Sequence, residues 1–140
     1  MMNRMGNIFY PEVFNAKYIR THFDFEIDLT NMLERSGQKA DFLGKYKQRL
    51  RFLDDRKEKC VLKSDWFEEL KQADGLYSMI FDKSQKNIRM LFTFIEYKKV
   101  NYALLLCAFQ EKDHKNKSQY CYSTKIPIAR KRLEEVLAND

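Results

Sequence analysis

Three basic side chains in the second half of the chain have the chemistry to act on a phosphate group. Arg89 interrupts a mainly apolar segment, Ile88 to Tyr97, and a guanidinium can bind phosphate through two parallel hydrogen bonds. Lys112 could bind phosphate or, if desolvated, transfer a proton, and His114 is the natural general acid or base in its basic segment. The structural alternatives are an ion pair between Arg89 and a carboxylate such as Glu96, and two solvated loop residues.

Other side chains could hold the rest of a nucleic acid. Strand tyrosines stack on unpaired bases, although they pack more often in a core or across strands, and the candidates are Tyr77, Tyr97 and Tyr102. A predicted helix carries basic residues on its outer surface, namely Lys45, Lys47, Arg49 and Arg51. That surface could contact RNA, accept an acidic partner segment or be a solvated face.

The net charge of +6 is unevenly distributed along the 140 residues. Residues 1–40 are balanced, so the whole excess lies in residues 41–140. It is concentrated in two segments, Lys45 to Lys59 and Lys112 to Arg132, and the second also contains Lys115 and Lys117. This bias favours a polyanionic partner, either nucleic acid or an acidic protein, and the alternative is a solvated surface without a partner.

The composition is typical of one small domain with a genuine core. Hydrophobic residues make up 44% of the chain, and it has only four Gly and two Pro. No apolar run approaches the ~20 residues needed to span a bilayer, and the first ten residues do not resemble a signal peptide. Three cysteines without paired spacing indicate reduced thiols, so we expect a cytoplasmic protein. Neither a metal site nor a cofactor is expected, because the two histidines lack ligand partners at suitable spacing.

The order of elements predicts an α+β fold. We expect an N-terminal arm over residues 1–20 and one domain over residues 21–140. Alternation from Phe23 to Leu29 predicts a strand, followed by a short helix over Asn31 to Arg35, although the helix could instead start near Asp24. An apolar stripe predicts a second helix from about Lys39 to Lys59.

The rest of the chain predicts an antiparallel three-stranded meander and a C-terminal helix. The 62–73 stretch is expected to be a loop with a helical turn. The three strands are predicted over Leu76 to Phe81, Ile88 to Tyr97 and Val100 to Phe109, and Tyr120 to Tyr122 would add an edge strand. Pro127 suits the first turn of the last helix. The helices would pack on one face of an antiparallel sheet and leave the other face available.

Several local sequences in this order resemble the RelE/ParE superfamily of bacterial toxins, especially its HigB-like, phage-derived branch. The matching pieces span about residues 40–138 and are Phe42-Leu43, Leu70-Lys71, Gly75-Leu76-Tyr77, Ile88-Arg89, Leu91-Phe92, Leu104 to Phe109 with Lys112, and Lys125-Ile126-Pro127. The family commonly has a Gly-Leu-aromatic strand, a strand with an arginine near its start and a Phe-x-Lys-Lys segment before a Thr-Pro. The order and spacing of the pieces carry the resemblance.

The resemblance implies a RelE-like fold and the toxin of a type II toxin–antitoxin system, acting as a ribosome-dependent, metal-independent mRNA endonuclease. In that reaction the ribose 2′-OH attacks the adjacent phosphate, which requires a proton acceptor, cations and a proton donor. Arg89, Lys112 and His114 would be catalytic. RNA would also be contacted by basic residues and one tyrosine: Lys71, Tyr77, Lys115, Lys117, Lys45 and Arg49. The partners would be mRNA, the ribosome and a helix-turn-helix antitoxin, with no membrane.

Two departures from the family pattern keep other functions open. Ile80 stands where the first meander strand usually has an arginine, and Glu111 stands where the first lysine of the Phe-x-Lys-Lys pair is expected. A ParE-like protein that binds DNA gyrase shares the fold but generally lacks the catalytic set. A phage-derived binding module of the same fold, without catalytic activity, is the third possibility.

Overall fold

The computed structural model describes residues 5–6, 16–36, 39–81, 88–110 and 118–138. They form an α+β fold with a mixed sheet and three helices. Its elements, in chain order, are β1 (Met5–Gly6), β2 (Ile19–His22), α1 (Phe25–Ser36), α2 (Lys39–Arg56), a 3₁₀ segment (Lys57–Leu62), β3 (Phe67–Glu69), β4 (Tyr77–Ile80), β5 (Ile88–Tyr97), β6 (Val100–Gln110) and α3 (Ser118–Ala138).

The strands lie in the order β1-β2-β6-β5-β4-β3. The predicted meander is confirmed, because β4 pairs antiparallel with β5 and β5 pairs antiparallel with β6. The prediction of a wholly antiparallel sheet is wrong, since β2 runs parallel to β6 with Ile19 opposite Ala103. The boundary predicted at residue 20 falls within β2, so Ile19 and Arg20 belong to the sheet.

Helices cover both faces of this sheet. On one face, α1 and α2 bury the side chains Phe25, Leu29, Phe42, Tyr46 and Leu50 against Met79, Met90, Phe92 and Leu105. On the other face, α3 buries Tyr122, Ala129 and Val136 against Leu91, Leu104, Leu106 and Phe109. The expectation that one face stays open is therefore wrong: α3 has its own apolar stripe, which needs a partner surface.

The predicted strand Phe23 to Leu29 is wrong, and the alternative of a helix that starts near Asp24 is confirmed. Phe23 and Ile27 are 62% and 54% exposed, whereas Phe25, Leu29 and Leu33 are fully buried. The buried spacing is thus four residues, as in a helix, and not two. Strand β2 accordingly lies earlier, at Ile19–His22.

Two further boundaries differ from the sequence-based expectation. The 62–73 stretch contains the short strand β3, where Phe67 pairs with Met79 at the edge of the sheet. Helix α3 already begins at Ser118, so the predicted edge strand Tyr120 to Tyr122 is helical and Pro127 lies inside the helix.

The hairpin between β5 and β6 turns at Lys98-Lys99, as predicted. Both lysines are in the left-handed region, with φ of 51° and 67°. This conformation fits a type I′ turn, whose twist matches the flanking strands but which favours Asn and Gly over residues with long side chains. None of the helices in the described ranges is long and apolar enough to cross a membrane.

Candidate functional site

Arg89 lies on β5 at the end of the sheet where β6 terminates. Its neighbours across the ladders are Ile80 on β4 and Phe109 on β6. The guanidinium is half-buried, and its Nη1 donates hydrogen bonds to the carbonyl oxygens of Phe81 (2.8 Å) and Ile88 (3.1 Å). These bonds satisfy two carbonyls where β4 ends and β5 begins, so Arg89 has a structural role there.

Arg89 faces the side of the sheet that α3 covers. The register places it on the face of Ser78 and Leu91. The Ser78 hydroxyl is hydrogen-bonded to the Tyr122 hydroxyl of α3 at 2.9 Å, and the Tyr122 ring packs edge-on against Phe109 with centroids 5.6 Å apart. The first turns of α3 therefore lie beside this end of the sheet.

Four predicted site residues, Lys112, His114, Lys115 and Lys117, lie outside the described residues. The chain that carries them leaves β6 at Gln110, which is paired with Ile88, the neighbour of Arg89. Lys112 follows Gln110 by two residues and His114 by four. Gln110, the last described residue before that segment, is thus one ladder position from the Arg89–Phe109 pair.

Tyr77 is not brought together with Arg89, because the two side chains lie on opposite faces of the sheet. Tyr77 pairs with Phe92, and its ring lies 5.5 Å from Phe92 and 5.0 Å from Phe94, on the α1–α2 face. Burial, followed by the nearby Glu69 charge, raises the pKa of its hydroxyl. A base stacked on Tyr77 and a phosphate bound by Arg89 would thus lie on different sides of the molecule.

Arg49 is a buried residue and does not belong to the outer surface of α2. It is only 4% exposed, its Nε donates to the Ile80 carbonyl at 2.8 Å, and its Nη1 reaches the Lys45 carbonyl at 3.4 Å. The guanidinium lies 4.6 Å from the Phe81 ring centroid and 4.7 Å from that of Trp66. A buried charge must be paired in this way, so Arg49 joins α2 to β4. Lys45 is half-buried on the same helix.

Lys71 is exposed in the turn that follows β3. It lines a shallow pocket together with Gln72, Ser123, Ile126 and Pro127 of the α3 side. Lys71 and Arg89 are thus both associated with the α3 side of the sheet, whereas Tyr77, Lys45 and Arg49 are associated with the α1–α2 side.

Sequence reasoning missed a group of aromatic rings covered by cations near the end of α2. Trp66 and Phe52 are in edge-on contact, with centroids 5.7 Å apart. Lys63 lies over Trp66 at 4.8 Å and Arg56 over Phe52 at 5.4 Å. The available signal was the basic segment Lys45 to Lys59 followed closely by the single tryptophan, but the sequence does not show which rings the cations reach.

The buried nucleophiles and the described histidine are structural. Burial raises the pKa of both Cys60 and Cys107 to about 12, which keeps them as neutral thiols. His22 is buried, with Nε2 3.0 Å from Glu135 Oε1, and its Nδ1 accepts a hydrogen bond from the Asp24 backbone N–H. Burial lowers the pKa of His22 despite the opposing effect of Glu135. The described ranges contain no group of three or more side chains suited to hold a metal ion.

Comparison of this chain with protein-family models, with curated proteins and with solved structures found no match.

Proposed function

We propose that this protein is a cytoplasmic toxin of the RelE/HigB kind that cuts mRNA on the ribosome and is held inactive by an antitoxin. The chemistry proposed is attack of a ribose 2′-OH on the adjacent phosphate. Arg89 would stabilise the charge on the phosphate, while Lys112 and His114 would provide further positive charge and proton transfer.

The observation that carries this proposal is the position of Arg89 at the end of β6. The arginine is opposite Phe109, and Lys112 and His114 follow Phe109 by three and five residues in the sequence. The element order also supports the proposal, since a strand, two helices, a meander and a final helix follow one another as in the RelE-like arrangement.

The test is to induce the gene and map the 5′ ends of cellular mRNA. We expect new ends within translated codons, and we expect them to disappear in Arg89→Met. Arg89→Lys retains the charge but loses the fork geometry, so its cleavage should fall by about 10²–10³-fold.

Arg20→Met is a matched control, because Arg20 is also a half-buried strand arginine whose Nη1 donates to backbone carbonyls, those of Ile19 and Lys17. It should retain full cleavage if Arg89 acts chemically. Equal cleavage by the wild type and a folded Arg89→Met variant, checked by circular dichroism, would refute the catalytic assignment.

One observation favours a second candidate, a binding protein of the same fold without nuclease activity. Nη1 of Arg89 is engaged by two backbone carbonyls, and α3 lies beside it on the same face. Intact mRNA together with a DNA-damage response after induction would indicate a gyrase-directed toxin. Unaffected growth at high expression would indicate a binding module.

A further inference from the structure

From the side chains at the end of α2 we infer a binding surface for unpaired RNA, which we call the tryptophan surface. It consists of Phe52, Arg56, Lys63 and Trp66, together with the neighbouring pair Tyr18 and Lys57. This inference concerns how RNA is held: the choice of RNA rests on the proposed function, whereas the surface itself depends neither on Arg89 nor on cleavage.

The rings of the tryptophan surface are fixed by packing from beneath. Phe52 stacks on the buried Phe67 with centroids 6.0 Å apart, and Trp66 meets Phe52 edge-on. The buried Arg49 lies between Trp66 and Phe81, which places a cation on the inner side of the indole. Phe52 and Trp66 remain half-buried, so each ring also has a part that reaches solvent. Rigid, half-exposed rings are suited to stacking, because little side-chain entropy is lost on binding.

The cations that lie over the outer parts of these rings, Arg56 and Lys63, have exposed side chains. The side chains of Arg56 and Lys63 are 54% and 42% exposed. Each is close to an exposed carboxylate, with 3.2 Å between Arg56 Nε and Asp55 Oδ2 and 3.7 Å between Lys63 Nζ and Asp65 Oδ1. Such exposed ion pairs contribute little, so a phosphate can compete for either cation. An incoming base could take the place of Lys63 over Trp66 while the ammonium moves to the phosphate.

Tyr18 and Lys57 add a further ring and cation next to the end of α2. Asp54 of α2 accepts hydrogen bonds from the backbone N–H groups of Lys17 and Tyr18, at 3.1 and 2.7 Å. These bonds tie the segment before β2 to α2, and the Lys57 ammonium lies 3.7 Å from the Tyr18 ring centroid. The tryptophan surface thus includes three aromatic rings, each with a cation over it: Phe52 on α2, Tyr18 before β2 and Trp66 before β3.

This combination points to an unpaired nucleic-acid strand as the ligand, and the proposed function makes RNA the strand to test. A duplex hides its base faces and needs only positive charge, whereas an unpaired strand can use both the rings and the cations. An acidic protein segment would use the cations but gain little from the rings. Because the surface has one cation for each ring, it favours an unpaired strand in which one base stacks on each ring and a neighbouring phosphate meets each cation.

The chain contains one tryptophan, Trp66, and this makes the experiment direct. Intrinsic fluorescence of the whole protein is followed while a 12-nucleotide uridine oligomer is added at 50 mM salt. We expect saturable quenching, since a stacked base contacts the indole itself. Log affinity should fall with log salt with a slope of about −2, as three phosphate contacts on a single strand predict.

Two variants test the ring and the charge separately, with labelled oligomer and fluorescence anisotropy as the readout. Trp66→Leu should weaken binding about tenfold, because a stacking contact is lost. The slope of log affinity against log salt should stay unchanged. Lys63→Gln keeps the ring and should reduce the magnitude of the slope by about 0.7.

Lys98→Asn is the control: Lys98 lies over Tyr97 at 5.3 Å in the β5–β6 hairpin, far from α2 in sequence, and its loss should leave affinity unchanged.

Three results would overturn the inference. These are binding without any change in Trp66 fluorescence, equal affinity for a 12-base-pair RNA duplex, and complete displacement of the oligomer by polyglutamate at equal charge. Failure here would leave mRNA cleavage by the Arg89 site untouched, and loss of cleavage in Arg89→Met would leave the quenching untouched.

Discussion

Replacing Arg49 should destabilise the protein more than replacing any exposed arginine of α2. Its guanidinium donates to the Ile80 carbonyl at 2.8 Å and lies between the rings of Phe81 and Trp66. In Arg49→Ala the Ile80 carbonyl loses this donor within the interior, at a cost of about 1–3 kcal/mol. Loss of two desolvated cation–π contacts adds about 1–2 kcal/mol.

We therefore expect Arg49→Ala to lower the free energy of unfolding by about 2–5 kcal/mol, with the centre of that range at about 3.5 kcal/mol. For a chain of this size that corresponds to a fall in Tm of roughly 10 °C. Arg49→Met fills part of the space and removes the cost of burying a charge, so it should lose only about 2 kcal/mol. The assay is urea unfolding followed by circular dichroism at 222 nm, since Trp66 fluorescence also responds to the loss of its neighbour.

The neighbouring Arg51 provides the control, because it is exposed on the same helix. Arg51→Ala should change the free energy of unfolding by no more than about 0.5 kcal/mol. If Arg49→Ala unfolded within that same margin of the wild type, the guanidinium would not join α2 to β4, and its buried position would be wrong.

Two other predictions concern pH and the hairpin. Burial lowers the pKa of His22 in the folded state, so the unfolded chain binds the proton more readily and stability should fall as the pH drops below about 6.5. The urea midpoint at pH 5.5 and 7.5 checks this, and the difference between them should shrink in His22→Gln; an unchanged difference would assign the acid sensitivity to other groups. Lys99→Gly removes a side chain from a residue at φ 67° and should raise stability by about 1 kcal/mol, whereas Lys131→Gly on an exposed position of α3 should lower it by a similar amount. A loss of stability in Lys99→Gly would contradict the left-handed turn.

The parts of the fold that the sequence predicts well are those with local signals. The predictions of β5 over Ile88–Tyr97 and of the start of β6 at Val100 are confirmed. They succeed because long apolar strands flank a two-residue turn. The start of α1 is ambiguous because exposed Phe23 and Ile27 mimic strand alternation. β3 has three residues and exists only through its pairing with β4, so no local pattern marks it. The parallel pairing of β2 with β6 is likewise a tertiary property, since periodicity gives a strand but not its neighbour.

The candidate site was predicted by residue type but not by face. Arg89 stands out in the sequence as a charged residue in a mainly apolar strand, whereas its carbonyl partners and the covering helix depend on how the chain folds back. Arg49 looks like any other basic residue of α2 in the sequence. Its burial follows from the approach of Phe81 and Trp66, which are more than ten residues away in the chain. The same packing creates the tryptophan surface, so the sequence pattern could not predict that surface either.

The pairing of β2 with β6 has a consequence for folding during synthesis on the ribosome. Ile19 lies opposite Ala103, and Asp28 of α1 forms a 2.6 Å ion pair with Arg132 of α3, whose guanidinium also donates to the Leu106 carbonyl. During synthesis, β2 and both N-terminal helices leave the ribosome long before the strand on which they pack. The apolar faces of these elements stay unpaired until β6 has been synthesised. The contacts that close the fold join residues about 80 to 100 positions apart. Folding should therefore be slow relative to a chain dominated by local contacts. The nascent chain thus exposes apolar surface that can aggregate until β6 and α3 have left the ribosome.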